Sequence, residues 1–238
     1  QNLNSWDVSN VTTFSGTFYQ CTNFGLNGTG GNISSWDPSS CTTMNSMFRL
    51  CSNFNSNIDG WDVSNVTDMF SVFNTCTSFN QPLNSWNMTG VTTMQYMFYQ
   101  CSSFDQNLNS WDVSDVVIML DMFFACVNFS GNVSSWTPSS CTNMSSMFRL
   151  CRKFNSDIGG WDVSNVTTMN SMLNDCNLFD QDLGSWDVGS CTVFANFMIS
   201  KTPSTFSAAN LDAIYNGWSS RTVQSGVTIS FGTAKYNS

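Results

Sequence analysis

Apolar residues in this chain fall into columns rather than into helical or strand stripes. Eight tryptophans, Trp6, Trp36, Trp61, Trp86, Trp111, Trp136, Trp161 and Trp186, stand 25 residues apart after a first gap of 30. Three residues before each is Leu, Ile or Val, and eight after is Met or Phe. Eleven and twelve after is usually Met-Phe, and eighteen after come Phe24, Phe54, Phe79, Phe104, Phe129, Phe154 and Phe179. A fixed period of this length marks stacked supersecondary units, each unable to bury its apolar face alone.

The segment from three before to two after Trp, as in LNSWDV, alternates and predicts a short strand. The Ser, Asn and Thr that follow supply turn chemistry. One coil is then strand, turn, a Met-Phe half-turn and a second turn. About eight such coils, stacked at about 4.8 Å, predict a solenoid with short parallel strands, about 35 to 40 Å long. The array takes residues 1–201. The long first gap is a Gly-rich insertion near 25–31, where NFGLNGTGGNISSW (23–36) aligns with NFSGNVSSW (128–136). Residues 202–238 read as a C-terminal cap: Leu211, Ile214, Tyr215 and Trp218 have helical spacing, Asn216-Gly217 reads as a stop, and VTISF reads as a strand. Gln1 falls inside a repeat, so a longer protein or an assembly is expected.

Composition then narrows the function. The chain is 41 % hydrophobic and 10 % charged, its acidic residues are all Asp, and it has no His. The commonest general base and the usual raised-pKa Glu are both missing, so no enzyme is expected. A net charge of −9 with seven Lys and Arg argues against nucleic acid as a partner. No apolar run approaches the roughly 18 to 20 residues of a membrane span.

Ten cysteines need a reading. WDPSSCTTMNSMFRLC (36–51) returns as WTPSSCTNMSSMFRLC (136–151), with thirteen of sixteen positions unchanged. Seven cysteines, from Cys21 to Cys176, stand fifteen after Trp, where the eighth coil has Lys201. Cys41, Cys141 and Cys191 stand five after Trp, where other coils carry Val. A column spreads its sulfurs along the rod with no C-x-x-C pair, which does not suit zinc, and no base stands by for a nucleophile. Coil-to-coil disulfides are sterically conceivable, but a column of seven cannot pair fully within itself. Buried free thiols acting as small hydrophobes are the expectation.

L-x-x-W-x-V-x-x-V/C matches the L-x-x-L-x-L-x-x-N/C core of leucine-rich repeats. MF-x-x-C-x-x-F followed by L-x-x-W-D-V-S-N-V-T resembles the BspA-like leucine-rich-repeat surface proteins, in particular their 25-residue WDVSNVT-type repeats. The resemblance covers residues 1 to about 200, and the 202–238 tail is similar to segments that close such arrays. It implies a right-handed leucine-rich-repeat-like coil stack that is secreted or displayed on a cell or virion surface. It also implies attachment to a glycan or protein on another cell, matrix or surface.

Three outward columns carry the candidate chemistry. One after Trp runs an acidic ladder, Asp7, Asp37, Asp62, Asp112, Asp162 and Asp187, interrupted by Asn87 and Thr137. Its carboxylates either bond nearby Ser hydroxyls and turn amides, share calcium, or meet a polar ligand. No other metal or cofactor is expected. Thirteen after Trp stand Tyr19, Arg49, Asn74, Tyr99, Phe124, Arg149, Asn174 and Ile199, large and unlike side chains over an almost invariant core. With Tyr96, Arg152 and Lys153 they form the candidate ligand-binding stripe, Tyr and Arg being the residue types enriched at binding hot spots. Six after Trp, Thr12, Thr42, Thr67, Thr92, Thr142, Thr167 and Thr192 form a ladder that would suit ice. The expected function is a surface adhesin or receptor-binding module, the alternatives being a structural spacer of a cell surface, fibre or virion and an ice-binding protein.

Overall fold

The 25-residue period closes one coil at each step. In the computed structural model, which describes residues 3–25 and 31–236, isolated parallel β-bridges join Thr13 to Thr43, Asp68, Thr93, Ile118, Asn143, Thr168 and Val193 in succession. Each lies seven residues after a Trp, so eight coils stack in register. Most of the expected insertion, residues 26–30, lies outside the described residues.

The short strands expected around LNSWDV do not form, and among the described residues no pairing is longer than a single bridge. The backbone ladder sits further along. In the second coil the amides of Met44, Ser46, Phe48 and Leu50 donate to the carbonyls of Asp68, Phe70, Val72 and Asn74 in the next, at 2.7–3.1 Å. Along the chain the same segment is a run of turns: Met47 N–H returns to the Met44 carbonyl and Cys51 N–H to that of Phe48. Ser46 and Leu50 take φ of +56° and +64°, the left-handed conformation that a type II turn needs at its third residue. It recurs ten and fourteen after Trp in coil after coil, at Ser71, Thr75, Tyr96, Gln100, Asp121 and Ala125 among others. That interruption at every fourth residue is why a laddered segment never becomes a strand. Only Gly16 supplies the expected glycine, so the turns carry no sequence signal.

Around the tryptophans, side chains hold the coils together instead. Each indole Nε1–H, from Trp36 to Trp186, donates to the carbonyl three before the preceding Trp, at 2.8–3.1 Å. The cysteine column does the same on the other side. The thiols of Cys51, Cys76, Cys101, Cys126, Cys151 and Cys176 donate to the carbonyl of Phe18, Phe48, Phe73, Phe98, Phe123 and Phe148, at 2.8–2.9 Å. Behind these clasps run stacked phenylalanine columns, with Phe48, Phe73, Phe98 and Phe123 successively 5.4–5.7 Å apart. Each fully buried ring or aliphatic group contributes about 1.5 to 3 kcal/mol before entropy is charged against it. The first coil is the exception: Trp6 is 57 % exposed and Cys21 is exposed, while every other cysteine is buried and all ten are free thiols.

At the other end, helix α1, Ala208–Ser219, covers the last coil. Ser207 caps it, and Asp180 Oδ1 accepts from Ser207 N, Ser207 Oγ and Asn210 Nδ2. Trp218 continues the indole series, donating Nε1–H to the Leu183 carbonyl at 2.8 Å. Leu211, Ile214 and Trp218 are buried as expected, but Tyr215 is half exposed. Gly217 is no helix stop: it lies inside α1, where a Cβ would collide with the Gly184 carbonyl. Nor does VTISF form a strand; it is irregular, with the Ser230 carbonyl accepting from Met198 N–H. Lys201, where the eighth cysteine would be, is 1 % exposed. Its Nζ donates to the carbonyls of Cys176 (2.5 Å), Phe179 (2.6 Å), Thr205 and Asn177. Burial pushes its pKa down to about 8.

Two predictions follow from these clasps. Burial pushes the thiols of Cys51 and Cys141 up to about 12 and raises Cys76, Cys126 and Cys151 well above the ordinary range. Ellman's reagent should therefore titrate one thiol rapidly in the folded protein, Cys21, and ten in the unfolded, unreduced protein; fewer than ten would mean disulfides. Because unfolded thiols ionise near pH 9 and the folded ones do not, this stability is complete below about pH 9 and is lost as pH rises toward 12, readable as a falling urea midpoint. Separately, Lys201→Met removes the donor to the carbonyls of Phe179, Asn177 and Thr205, at about 1 to 3 kcal/mol for each left unpaired, while the Cys176 carbonyl keeps the Phe179 amide, and relief of the buried charge offsets part of the loss. A net loss of about 2 kcal/mol in chemical denaturation is expected.

Candidate functional site

The turn column thirteen after Trp lies on the outer side of the ladder segment, directly over the phenylalanine core. Each core Phe is one residue earlier in sequence, so the position of this column is fixed by the packing beneath it. The stripe converges there on one groove of about 810 Å³, spanning the second to the sixth coil. Arg49, Tyr96, Tyr99, Phe124 and Arg149 all line it, together with Asn74, Asp121 and Phe70. This volume falls within the roughly 300 to 1,000 Å³ of ordinary ligand sites.

Its aromatic side chains form a continuous chain. Tyr99 and Phe124 stack at 4.7 Å with ring planes 7° apart, Tyr96 meets Tyr99 edge-on at 5.8 Å, and Phe70 meets Tyr96 edge-on at 5.7 Å. Arg149 lies 5.5 Å over the Phe124 ring, and Arg49 lies 5.5 Å over Tyr19. Tyr19 thus supports the groove from beneath Arg49 without lining it. The Nε of both arginines is buried with no hydrogen-bond partner. Burial pushes the Asp121 carboxyl up to about 6, while Arg149 and a hydrogen bond from Ser146 oppose that rise. Burial also raises the Tyr99 phenol, with Asp121 and Tyr96 adding to the shift.

Arg152 and Lys153 do not join this groove. Both are exposed, and Lys153 lines a separate hollow of about 380 Å³ beside Asn132, Asn155 and Asp157. Sequence reasoning did not reach Asp121 and Phe70. Each stands out in its column: ten after Trp, Asp121 is the one acidic residue, and nine after Trp, Phe70 is the one aromatic.

The acidic ladder is built as turns. Oδ1 of Asp7, Asp37, Asp62, Asp112, Asp162 and Asp187 accepts the amide two residues on, at 3.0–3.1 Å. Asn87 makes the same bond with no charge. Hydrogen bonds from Ser9, Ser64, Ser114 and Ser164 hold Asp7, Asp62, Asp112 and Asp162 below the usual carboxylate range. Among the described residues no three Cys or Asp side chains converge where a metal ion could sit. The threonine ladder likewise spends its hydroxyl protons: Oγ1 of Thr42, Thr67, Thr92, Thr142, Thr167 and Thr192 donates to the preceding coil at 3.0–3.4 Å. A further cavity, about 210 Å³ and mainly apolar, lies between the last coil and α1.

A stack of eight side-chain-clasped coils, closed by a helix and carrying one aromatic and arginine groove, defines a repeat protein. The chain belongs to the family described as Mycoplasma protein of unknown function, DUF285, whose model matches residues 1–30, 25–136 and 103–213. No curated protein matches it. Among solved structures, the crystal structure of the TLR13–ssRNA13 complex is similar at 11 % identity and a TM-score of 0.24. That match covers 80 % of this chain and one third (33 %) of the other, a likeness too slight to carry an argument. Among the described residues no helix is long and apolar enough to cross a membrane.

The position of Asp121 generates a pH prediction. With its folded pKa raised from 3.8 to about 6, its contribution to stability is complete below about pH 4 and is lost as pH rises through 6. Asp121→Asn, which also suits the left-handed backbone there (φ 53°), should therefore melt higher than wild type near pH 8 and show no such gain near pH 4. Equal gains at both pH values would mean that the carboxyl is not perturbed.

Proposed function

We propose that this protein is a non-catalytic recognition module of the BspA-like leucine-rich-repeat type, a right-handed coil stack displayed on a cell or virion surface or secreted. It binds a glycan or protein of another cell or surface through the groove on its turn face. The observation that carries this reading is the convergence of five variable side chains, Arg49, Tyr96, Tyr99, Phe124 and Arg149, on one concavity above an invariant core. A rigid scaffold with variable side chains on its turns is where recognition usually sits.

Tyr96 supports the same conclusion. Other coils place Gly, Ser, Asp or Asn at this left-handed position, and Tyr96 holds φ at 59°. A bulky side chain there costs about 1 to 2 kcal/mol more than a glycine would, and such strain clusters at functional sites. A non-catalytic role is supported by the groove's single carboxylate, Asp121, since glycoside hydrolysis by acid and base needs two.

The test is binding to a panel of glycans and cell surfaces by wild type, by Tyr99→Ala with Arg149→Ala, and by Tyr96→Asn, each with and without a calcium chelator. The double variant should lose at least tenfold in affinity, about 1.4 kcal/mol. Tyr96→Asn should bind more weakly while melting no lower than wild type, separating recognition from folding. Sensitivity to chelation would direct attention to the acidic ladder, and absence of any binding by the folded protein would favour a structural spacer.

A further inference from the structure

The groove owes its shape to one short side chain. Thirteen after Trp, coils one to five carry Tyr19, Arg49, Asn74, Tyr99 and Phe124, so the third coil alone presents a small group between large ones. Asn74 is 9 % exposed and folded down, its Nδ2 donating to Ser71 Oγ at 3.4 Å and its Oδ1 accepting from Thr75 Oγ1 at 2.9 Å. What remains above it is a slot with the Arg49 side chain on one side and the Tyr99 ring on the other. Two coils separate these walls, about 10 Å between centres at the usual spacing of about 4.8 Å. A planar aromatic ligand stacked on both walls would need only about 7 Å between them, at a van der Waals separation of about 3.5 Å to each. The slot suits a thicker, puckered ring.

The two walls differ in chemistry. One face of the Tyr99 ring is covered by Phe124, and the other looks down the stack toward the slot. An aromatic face there offers an apolar platform to the C–H side of a ring that carries its hydroxyls at the edge. Arg49 offers a guanidinium already backed by Tyr19, so little rotamer freedom remains to be lost, and a fork that matches a carboxylate. Between the walls stand small neutral donors and acceptors, Ser71, Asn74 and Thr75, which suit hydroxyl groups, and the lining adds Phe70 and Leu50 as further apolar surface for C–H groups. The groove then continues over Tyr99 and Phe124 to Arg149, four coils from Arg49 and about 19 Å away. Two of the chain's seven basic residues are thus placed at the two ends of one groove in a protein of net charge −9.

We propose that the groove binds a linear acidic polysaccharide, seating one carboxylated pyranose ring in the slot above Asn74 between Arg49 and Tyr99, with a further acidic group of the same chain reaching Arg149. This rests on the recognition reading of the groove and specifies its ligand. An acidic peptide fits less well: the slot offers no deep apolar pocket for an anchoring side chain, and its floor is lined with hydroxyl and amide groups rather than backbone-pairing edges.

The second half of the stack supplies a matched control. Asn174 occupies the same position in the seventh coil at the same 9 % exposure, but its slot is walled by Arg149 and Ile199 and lies outside the groove. Asn74→Phe and Asn174→Phe should both fold, since the column already carries Phe124 and Tyr99; thermal melting checks this. Binding is measured by calorimetry against a glucuronate-containing tetrasaccharide, its carboxyl-reduced neutral counterpart, a sialyl trisaccharide and an acidic hexapeptide.

The expected result is that wild type binds the uronate tetrasaccharide at least tenfold more tightly than the reduced one and than the peptide. Asn74→Phe and Arg49→Gln should lose at least tenfold, and Asn174→Phe should lose nothing. Preference for the sialyl probe over the tetrasaccharide would place a terminal acidic sugar in the slot and overturn the linear-polymer form. Equal binding of the reduced sugar, stronger binding of the peptide, or dissociation constants weaker than about 10 mM for every acidic sugar would overturn the proposal. If Asn74→Phe is without effect while Tyr99→Ala abolishes binding to some other ligand, the slot is wrong and the groove stands. If neither substitution affects binding, both readings fall. Should Asn74→Phe misfold, the Arg49→Gln comparison decides alone.

Discussion

The constraint on which this structure depends is the donation of a side-chain hydrogen to the backbone carbonyl of the preceding coil. Coils here are too irregular to pair as strands around the tryptophans, and each buried carbonyl there has two lone pairs but only one donor from its own coil. The indole N–H of the next coil meets the second on one side of the core and the cysteine thiol on the other. The Phe48 carbonyl shows the economy of the arrangement: it accepts the Cys51 amide of its own coil and the Cys76 thiol of the next, so both its lone pairs are used. Where the cysteine column stops, Lys201 takes over with an amine that reaches four carbonyls, and where the Trp column stops, Trp218 on α1 makes the same bond from a helix. The cap works because it offers the last coil the donors that another coil would have supplied.

These clasps explain what may and what cannot vary. Positions whose side chains donate inward are repeated almost without change, because each loss would break a bond between coils and leave one lone pair of a buried carbonyl unused. The turn column thirteen after Trp joins neighbouring coils through its backbone, as when Leu50 N–H meets the Asn74 carbonyl. Its side chains make no clasp to the preceding coil's carbonyls, and that of Asn74 bonds only within its own turn. A groove can therefore be built by choosing one short residue among long ones. The left-handed residues nearby are constrained in a different way. They tolerate most side chains at a modest cost, which is why a tyrosine at position 96 is informative while a serine at 71 is not.

Much of this was legible in the sequence, and the reasons for the gaps are physical. Period, coil count, inward columns and the buried character of Cys51 to Cys191 are set by burial, which writes itself into residue type. Clustering of Arg49, Tyr99, Phe124 and Arg149 followed from their shared register, with Tyr96 joining them from the same turn as Tyr99. Strands around LNSWDV were expected because alternation is the signal of a strand, but alternation reports only which side faces the core. It does not report whether the backbone pairs, and the pairing was displaced to a segment whose left-handed residues carry no glycine. Arg152 and Lys153 were set apart from the groove by the turn after the cysteine, which directs them to another face. Gly217 resembled a stop because glycine after an amphipathic run usually is one; its reason, close approach to Gly184, lies in tertiary contact that no local pattern contains.

The hundred-residue echo takes on a further meaning in three dimensions. Tyr-Arg-Asn-Tyr in the first four coils and Phe-Arg-Asn-Ile in the next four are the same stripe written twice, and the Arg-on-ring contact recurs at 5.5 Å in each. The halves have nonetheless diverged at the places that make the groove. Tyr99 corresponds to Ile199, which is 46 % exposed, Tyr96 to Asn196, and Gly16 to Asp121. The stacked pair Tyr99–Phe124 exists only because the last coil of one half lies against the first coil of the other. A single four-coil unit would end on its tyrosine with no ring beside it, and its arginine would have no counterpart at the far end. The groove is therefore a property of the junction, and joining two copies of one structural unit created a surface that neither copy contains.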